Sequence, residues 1–235
     1  MKYDIETLIV EVGRKCNMNC LHCLRGEPED VTVNVEDVFK LLSDKDINYI
    51  DNITFTGGEP TLYVDEIIEI INYIINNNID IGGFYIASNG LIVNLNLMMK
   101  LVEFASYISN SHYIEDYQCC YDISNDHFHD DIPEYNKAML SMFSFVHYRG
   151  DINENYLIDQ GRASLYYCCH RTEENNIEIE EETCEMSYIR QVYLNAKGNI
   201  LWNCDLSYES QDFYEPLSIK NHSFDEIVKT EMVRV

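Results

Sequence analysis

The stretch Cys16-Asn-Met-Asn-Cys20-Leu-His-Cys23 places three cysteines close together near the start of the chain. The C-x3-C-x2-C spacing leaves enough slack for three thiolates to converge on one inorganic centre. A tetrahedral zinc site would need a fourth ligand nearby, and the next cysteine along the chain is Cys119. A 4Fe–4S cluster held by three protein thiolates instead keeps one iron open to a small molecule. The spacing favours such a cluster, with a zinc knuckle as the alternative.

A second motif follows downstream, in the run Ile53-Thr-Phe-Thr-Gly57-Gly58-Glu59-Pro60. Its β-branched and aromatic residues predict a strand that ends at two glycines, and a helical pattern comes next. Glycine accepts positive φ and lets a ligand approach the backbone closely. Taken alone, the motif is also compatible with an ordinary surface turn.

Together the two motifs resemble the signature of the radical S-adenosylmethionine (radical SAM) superfamily, in which GGEP follows the second strand. The resemblance implies that Cys16, Cys20 and Cys23 hold a 4Fe–4S cluster whose open iron chelates S-adenosylmethionine (SAM). It further implies an enzyme that cleaves SAM reductively and uses the 5′-deoxyadenosyl radical to abstract hydrogen from a substrate. An electron donor such as flavodoxin or ferredoxin is then an expected partner. A non-catalytic zinc or Fe–S binding module is the remote alternative, and it leaves GGEP unexplained.

The resemblance also implies a set of cofactor contacts at the ends of the predicted strands. In the family, GGEP binds the SAM amino group, an (S/T)NG turn follows the third strand, and polar residues after the fourth strand bond the ribose. The residue before the third cysteine is usually aromatic and lies beside the adenine, whereas this chain has His22, whose imidazole can still stack. Helix capping and turn chemistry are the alternative for the Ser, Asn and Asp side chains. The expected SAM-binding residues are His22, Gly57, Gly58, Glu59, Ser88, Asn89, Asp122, Ser124 and Arg162.

The last of these belongs to Gly161-Arg162-Ala163, which resembles a GRA segment common in peptide-modifying radical SAM enzymes. A guanidinium there could pair with the SAM carboxylate through two parallel hydrogen bonds. A structural salt bridge is the alternative role for Arg162.

Apolar runs alternate with amphipathic stripes along the first two thirds of the chain. Strands are predicted at 7–12, 53–55, 84–87, 117–122, 145–148 and 156–159, with helical patterns between them. Alternation at this interval indicates a parallel sheet, and six such units resemble the partial (β/α)6 TIM-like barrel of the family. We expect this barrel over residues 1–164, with the chemistry at the carboxyl ends of its strands.

Residues 165–235 are expected to form a small C-terminal extension. Asn195-Ala-Lys-Gly198 predicts a β-hairpin, and a short helix is predicted from residue 223 to residue 232. The segment resembles a shortened SPASM or twitch extension, although its Gly198-to-Cys204 spacing is one residue too long and the downstream cysteine pair is missing. An auxiliary Fe–S cluster or zinc site and free thiols therefore both remain open for its cysteines, which are Cys168, Cys169, Cys184 and Cys204.

The composition limits the partners of the chain. Its 16 Lys and Arg residues against 41 Asp and Glu residues give a net charge of −25, which disfavours general nucleic-acid binding. The charge could steer a cationic peptide substrate or serve solubility alone. A peptide or protein side chain is the favoured substrate, and a nucleotide-derived small molecule or glycyl-radical activation are alternatives. The sequence shows no long apolar span and no secretory signal, so we expect a soluble cytoplasmic protein whose cysteines bind metal or stay reduced.

Other polar groups near the motifs have open roles. Arg14 and Lys15 could offset the thiolate charge or lie on the surface. The segment Asp126-His127-Phe128-His129-Asp130 falls at the expected barrel mouth, where substrate contact, a proton relay, a weak metal site and a plain polar loop are all compatible with it. Cys119 and Cys120 are predicted to be small core residues.

Overall fold

The computed structural model describes residues 1–111, 119–150, 157–165, 174–181 and 186–234. Within these ranges the strands are β1 (Lys2–Gly13), β2 (Ile47–Gly57), β3 (Phe84–Ser88), β4 (Cys119–Ser124), β5 (Val146–Arg149), β6 (Ile179–Glu181), β7 (Met186–Leu194) and β8 (Ile200–Leu201). The helices are α1 (Val35–Leu42), α2 (Val64–Asn76), α3 (Leu95–Ser111), α4 (Glu134–Leu140), α5 (Tyr208–Phe213) and α6 (Phe224–Arg234). Among these described helices, none is both long enough and apolar enough to cross a membrane.

All of these strands belong to one open sheet. Its order is β5-β4-β3-β2-β1-β7-β6, and β8 pairs with β7. Neighbours from β1 to β5 are parallel and are connected through helices on the outside. This arrangement confirms the predicted α/β partial barrel, in which the carboxyl ends of the strands meet at one rim.

The predicted sixth barrel strand, 156–159, differs from the structure. Its first residue lies outside the described part of the chain, and Leu157 to Asp159 belong to none of the described strands. A one-turn 3-10 helix, Gly161–Leu165, follows directly. The amide of Arg162 donates to the carbonyl of Cys23 at 2.9 Å, so hydrogen bonds to the cysteine loop hold this segment.

The second half of β1 is mostly apolar and is covered on both sides. Leu8, Val10 and Ile9 on β1 are all buried, the first two in the main core and Ile9 in a smaller cluster with Tyr193. Such two-sided burial is typical of central parallel strands. On the outside, α2 packs a stripe of four buried isoleucines against the sheet. The Asn34 side chain caps α1 by accepting from the Glu36 amide at 3.3 Å.

The predicted hairpin is confirmed, and its place in the sheet was not predicted. Strands β7 and β8 are antiparallel and joined by a turn in which Gly198 has a φ of 84°. Strand β7 also runs parallel to β1, in register from Lys2 opposite Met186 to Val10 opposite Leu194. The C-terminal hairpin therefore extends the barrel sheet on the side of β1, next to the cysteine loop. The division of the chain at residue 164 stays a prediction.

A buried polar network joins β1 to the C-terminal segment. Arg14 and Glu11 have no exposed surface, and the Arg14 Nε donates to Glu11 Oε1 at 2.7 Å. Gln211 accepts from Arg14 at 2.7 Å, and the Tyr193 hydroxyl donates to Glu11 at 2.5 Å. Arg14 is thus neither a surface residue nor a thiolate counter-charge, because its partner is a carboxylate. Breaking a buried pair of this kind typically costs about 3–5 kcal/mol.

Candidate active site

A cavity of about 290 Å³ opens at the carboxyl ends of β1 to β4. Strand β1 ends at Gly13 and leads into the cysteine loop, and β2 ends at the Gly57-Gly58 turn. Strands β3 and β4 end at Ser88 and Ser124, on the same rim. The predicted site residues that line the cavity are Cys16, Cys20, His22, Cys23, Gly57, Gly58, Glu59, Ser88, Asn89 and Ser124.

The three loop cysteines are partly buried free thiols. Burial raises the pKa of Cys16 and raises the pKa of Cys20 to about 11. Neighbouring thiolates raise the pKa of Cys16 and Cys20 further, because like charges repel at short range. Three such thiols become ligands only when a metal compensates for their charge, since a thiol must lose its proton to bind. The donor set therefore fits a metal centre and does not fit a set of reactive thiolates.

Arg162 holds the cysteine loop in place through the backbone. Its Nε donates to the Cys20 carbonyl at 2.9 Å, and its Nη1 donates to the Gly26 carbonyl at 2.6 Å. The same guanidinium lowers the pKa of Cys16 and of Cys20, although burial outweighs it. Arg162 does not line the cavity, and its predicted contact with a SAM carboxylate stays a prediction. Lys15 lies on the surface, where it pairs with Asp30 at 2.6 Å.

The two glycines of the GGEP motif let its backbone pack closely against the backbone of residues 13–15. Gly57 has a φ of 145°, and a Cβ there would lie 2.1 Å from the carbonyl oxygen of Gly13. A Cβ on Gly58 would lie 2.0 Å from the carbonyl oxygen of Lys15. The Gly58 amide donates to the Gly13 carbonyl, and the Glu59 amide donates to the Lys15 carbonyl, both at 2.9 Å. The glycines therefore fix the turn against the root of the cysteine loop.

Glu59 is the one acid among the described residues that line the cavity, and 2 % of its surface is exposed. Its Oε1 accepts from the Ser88 hydroxyl at 2.8 Å and from the Thr61 hydroxyl at 2.7 Å. Its Oε2 accepts from the Asn89 amide at 2.9 Å. Burial raises the pKa of Glu59 in spite of these bonds. A cation in the cavity would stabilise the carboxylate, because an opposite charge favours the ionised form.

The turn after β3, at residues 88–90, forms hydrogen bonds with both motifs. Besides its bond to Glu59, the Ser88 hydroxyl accepts from the Gly90 amide at 3.1 Å. The Asn89 side chain donates to the Asn17 side chain of the cysteine loop at 2.8 Å. This turn therefore connects the carboxylate of GGEP to the loop that carries the three thiols.

The two polar residues predicted at the end of β4 have different environments. Ser124 lines the cavity, and its hydroxyl accepts from Arg149 Nη2 at 2.8 Å. Asp122 lies two residues before Ser124 on β4. It accepts a hydrogen bond from the Tyr85 hydroxyl at 2.8 Å and lies 3.7 Å from Arg149 Nε. Asp122 does not line the cavity, and its ribose contact stays a prediction.

Residues 10–118 match the family model described as "Radical SAM superfamily". Residues 10–118, just under half of the chain, are thus similar to the radical SAM superfamily. This family uses a 4Fe–4S cluster and SAM, and the matched segment contains the three loop cysteines and the GGEP motif. The cavity described above, termed the radical SAM cavity, is lined by residues of both motifs.

The relatives among curated proteins each match less than half of the chain. The molybdenum cofactor biosynthesis protein moc-5 of Caenorhabditis elegans is 31% identical over 91 residues, which are 37% of this chain and 15% of that protein. A GTP 3′,8-cyclase of Clostridium acetobutylicum is 32% identical over 94 residues, 38% of this chain and 29% of that protein. The chain thus covers less than a third of the length of either relative.

A solved structure shares the fold over most of the chain. The structure of anSMEcpe with bound AdoMet and Cp18Cys peptide superimposes with a TM-score of 0.59 at 10% sequence identity. The superposition covers 95% of this chain and 80% of that chain. At this identity the similarity concerns the radical SAM fold alone.

His22 occupies the position beside the third cysteine that the family usually gives to an aromatic residue. Its ring stacks on Phe128, with centroids 4.4 Å apart and 28° between planes. Burial lowers the pKa of His22 to about 4, so the imidazole is neutral at pH 7. Its adenine contact stays a prediction, and Phe128 already covers one of its faces.

Several residues that line the cavity were not predicted as site residues. Thr56 and Ala87 directly precede Gly57 and Ser88, and strand alternation could have assigned them. Arg149 ends β5, one residue beyond the predicted strand end. Met18, Leu24, Arg25 and Pro60 also line the cavity. Their positions depend on loop conformation, for which a single sequence carries no period.

Of the cysteines outside the loop, three lie within the described residues. Cys204 is partly buried, and burial raises its pKa to about 11. Cys168, Cys169 and Cys184 lie outside the described residues, so the auxiliary metal site stays a prediction. Cys119 packs against the main core, as predicted. Cys120 is partly buried, with its sulfur 3.5 Å from Asp122.

Proposed function

We propose that the chain is a radical SAM enzyme that cleaves SAM reductively and abstracts hydrogen from a peptide or protein side chain. The observation that carries this proposal is a single cavity that presents both the three loop thiols and the buried carboxylate of Glu59. The three thiols suit a metal cluster, and the carboxylate suits a bound cation.

Cys16, Cys20 and Cys23 would hold the 4Fe–4S cluster. Their grouping fits this role, because the charge of the iron would compensate for the three thiolates that metal binding forms. Arg162 would keep the loop closed around the cluster through its two carbonyl contacts. The positive charge of Arg162 would also offset part of the negative charge of the thiolates.

Glu59 would bind the amino group of SAM. Four hydrogen bonds from Ser88, Thr61 and Asn89 fix the carboxylate before any ligand arrives, so little ordering is left for binding. The Gly57-Gly58 turn sets the position of this carboxylate relative to the cysteine loop. Ser124 would contact the ribose from the end of β4.

When bound, the reduced cluster supplies the electron that breaks a carbon–sulfur bond of SAM, and the released fragment removes a hydrogen atom from the substrate. The chain orients both partners and keeps water away. Met18, Leu24, Ala87 and Pro60 supply apolar surface to the cavity wall. We place the enzyme in a reducing cytoplasm, with flavodoxin or ferredoxin as electron donor.

The reaction is tested by incubating the anaerobically reconstituted protein with dithionite and SAM. The parent should form 5′-deoxyadenosine and methionine, measured by chromatography. Cys16→Ala should form neither product, whereas the matched control Cys119→Ala should keep the activity, because Cys119 packs in the core away from the cavity. Product formation by Cys16→Ala at the parental rate would contradict the proposal.

Charge near the site supports a cationic peptide as the substrate. A second cavity of about 610 Å³ lies beside the cysteine loop, and its wall includes five acids and one arginine among the described residues. Such a surface attracts Lys- or Arg-bearing peptides and speeds their association. The acids are Glu27, Glu29, Asp159, Glu209 and Asp212.

The substrate class is tested through salt. Turnover on a Lys- and Arg-rich peptide should slow markedly between low salt and 0.1 M salt, where the screening length is about 10 Å. A matched peptide with neutral residues at the same positions should show no such slowing. Equal salt dependence for both peptides would assign the acidity to solubility.

A nucleotide-derived small molecule is the second candidate. The sequence relatives favour it, because one of them is a GTP 3′,8-cyclase and another is a molybdenum cofactor biosynthesis protein. Arg25 and Arg149 line the radical SAM cavity and could bind a phosphate. Consumption of GTP that depends on SAM and dithionite would favour this candidate over the peptide.

A further inference from the structure

Three metal-ligand side chains meet on one side of the radical SAM cavity. His22 comes from the cysteine loop, and Asp126 and His129 come from the loop after β4. One ligand atom from each lies within 4.8 Å of the other two. His22 and His129 both line the cavity.

Two atoms of this group are buried without a hydrogen-bond partner. His129 Nδ1 lies 2.7 Å from Asp126 Oδ1, but the second carboxylate oxygen, Oδ2, has no partner. His22 Nδ1 is also buried and unpartnered. Each unpaired buried polar atom costs about 1–3 kcal/mol. Two such atoms side by side indicate that a ligand completes the site.

The protonation state of Asp126 suits a cation. The hydrogen bond from His129 and the amide of Phe128 hold the pKa of Asp126 below its usual value, in spite of its burial. An ionised carboxylate is the form that binds metal.

We propose that His22, Asp126 and His129 bind a divalent first-row metal ion, such as Zn²⁺, beside the cluster site. Two imidazoles and one carboxylate are a ligand set that suits zinc and its first-row neighbours. Three protein ligands leave the coordination sphere incomplete. The remaining position is open to water or to an oxygen or nitrogen atom of the substrate.

One positive charge nearby opposes a second cation. Arg149 also lines the cavity. Its guanidinium is engaged with Asp122 at 3.7 Å and Ser124 at 2.8 Å. Its charge is therefore partly neutralised by Asp122, and a metal remains compatible with the site.

The test measures Zn²⁺ bound by the holoprotein. Reconstituted protein is dialysed against Zn²⁺, and zinc and iron per chain are determined in the same sample. The parent should bind one more zinc per chain than Asp126→Asn or His129→Gln. These variants should bind this zinc more than about 100-fold more weakly, since they lose a direct ligand. His147→Gln, which changes an exposed histidine on β5, should bind as the parent does.

A second measurement covers the case in which a variant fails to fold. X-ray absorption at the zinc edge of the parent should show a shell of nitrogen and oxygen ligands only. A sulfur shell at about 2.3 Å would put the zinc on cysteines and overturn the proposal. The proposal would also be overturned if the parent bound no zinc, or if both variants bound zinc as the parent does. A water molecule would then be the partner of the two unpaired buried atoms.

Discussion

Replacement of Glu59 by glutamine removes one charge from the cavity and keeps the shape of the side chain. In the parent, one carboxylate oxygen accepts bonds from Ser88 and Thr61, and the other accepts from the Asn89 amide. An amide has only one oxygen, so one of these donors faces an NH₂ group whichever way the side chain turns. Removing one partner of a buried, hydrogen-bonded charge pair costs about 2–5 kcal/mol.

This cost predicts a large change in SAM affinity. Since about 1.4 kcal/mol corresponds to a factor of ten, Glu59→Gln should bind SAM at least about 30-fold more weakly. The assay is equilibrium dialysis with labelled SAM, on protein whose iron content and cluster absorbance match those of the parent. Glu69→Gln on the exposed face of α2 is the matched control and should bind normally. Binding within about threefold of the parent would refute the assigned role of Glu59.

The same variant has a predicted pH signature. Burial raises the pKa of folded Glu59 above its usual value of 4.5, so the folded protein binds more protons at this residue than the unfolded chain does. SAM-free parent should therefore lose stability relative to Glu59→Gln as the pH rises from about 4.5 through the raised pKa. Thermal unfolding at a series of pH values measures this difference, and a constant difference would contradict the burial argument.

Three further changes test how the site is built. Gly58→Ala should lower cluster loading and the melting temperature, because its Cβ would collide with a backbone carbonyl 2.0 Å away, whereas Gly150→Ala has nothing within 4 Å and should do neither. Arg162→Lys should speed cluster loss to a chelator, since an ammonium cannot hold both carbonyls, and Arg190→Lys, which changes an exposed residue of β7, should not. With the three loop cysteines replaced by alanine, iron near about 4 per chain would reveal an auxiliary 4Fe–4S cluster, and its absence together with the absence of zinc would leave free thiols.

The sequence was sufficient for the parts of the site that depend on local spacing. The loop cysteines and the GGEP turn could be assigned from their residues, because the chemistry needs those residue types at those positions. The strand ends at Ser88 and Ser124 followed from the rule that parallel strands present their carboxyl ends at one rim. The Glu59 contacts then connect residues that the sequence had already grouped.

Long-range pairing was beyond the sequence. The hairpin of β7 and β8 has a local signal, but its parallel position beside β1 depends on which edge of the sheet is free. Arg14 is a charged residue in an acidic chain, and its burial against Glu11 becomes visible only when Gln211 and Tyr193 are brought in from the C-terminal segment. The contacts of Arg162 with backbone carbonyls could not be predicted either, because every residue carries such a carbonyl.

The central claim is that Cys16, Cys20 and Cys23 hold a cluster with one iron open to SAM. Electron paramagnetic resonance of the reduced protein, recorded before and after addition of SAM, tests it most directly. We predict a cluster signal that changes when SAM binds, and that is lost when the three cysteines are replaced by alanine. A signal that SAM leaves unchanged, or that survives the replacement of all three cysteines and still responds to SAM, would contradict the claim.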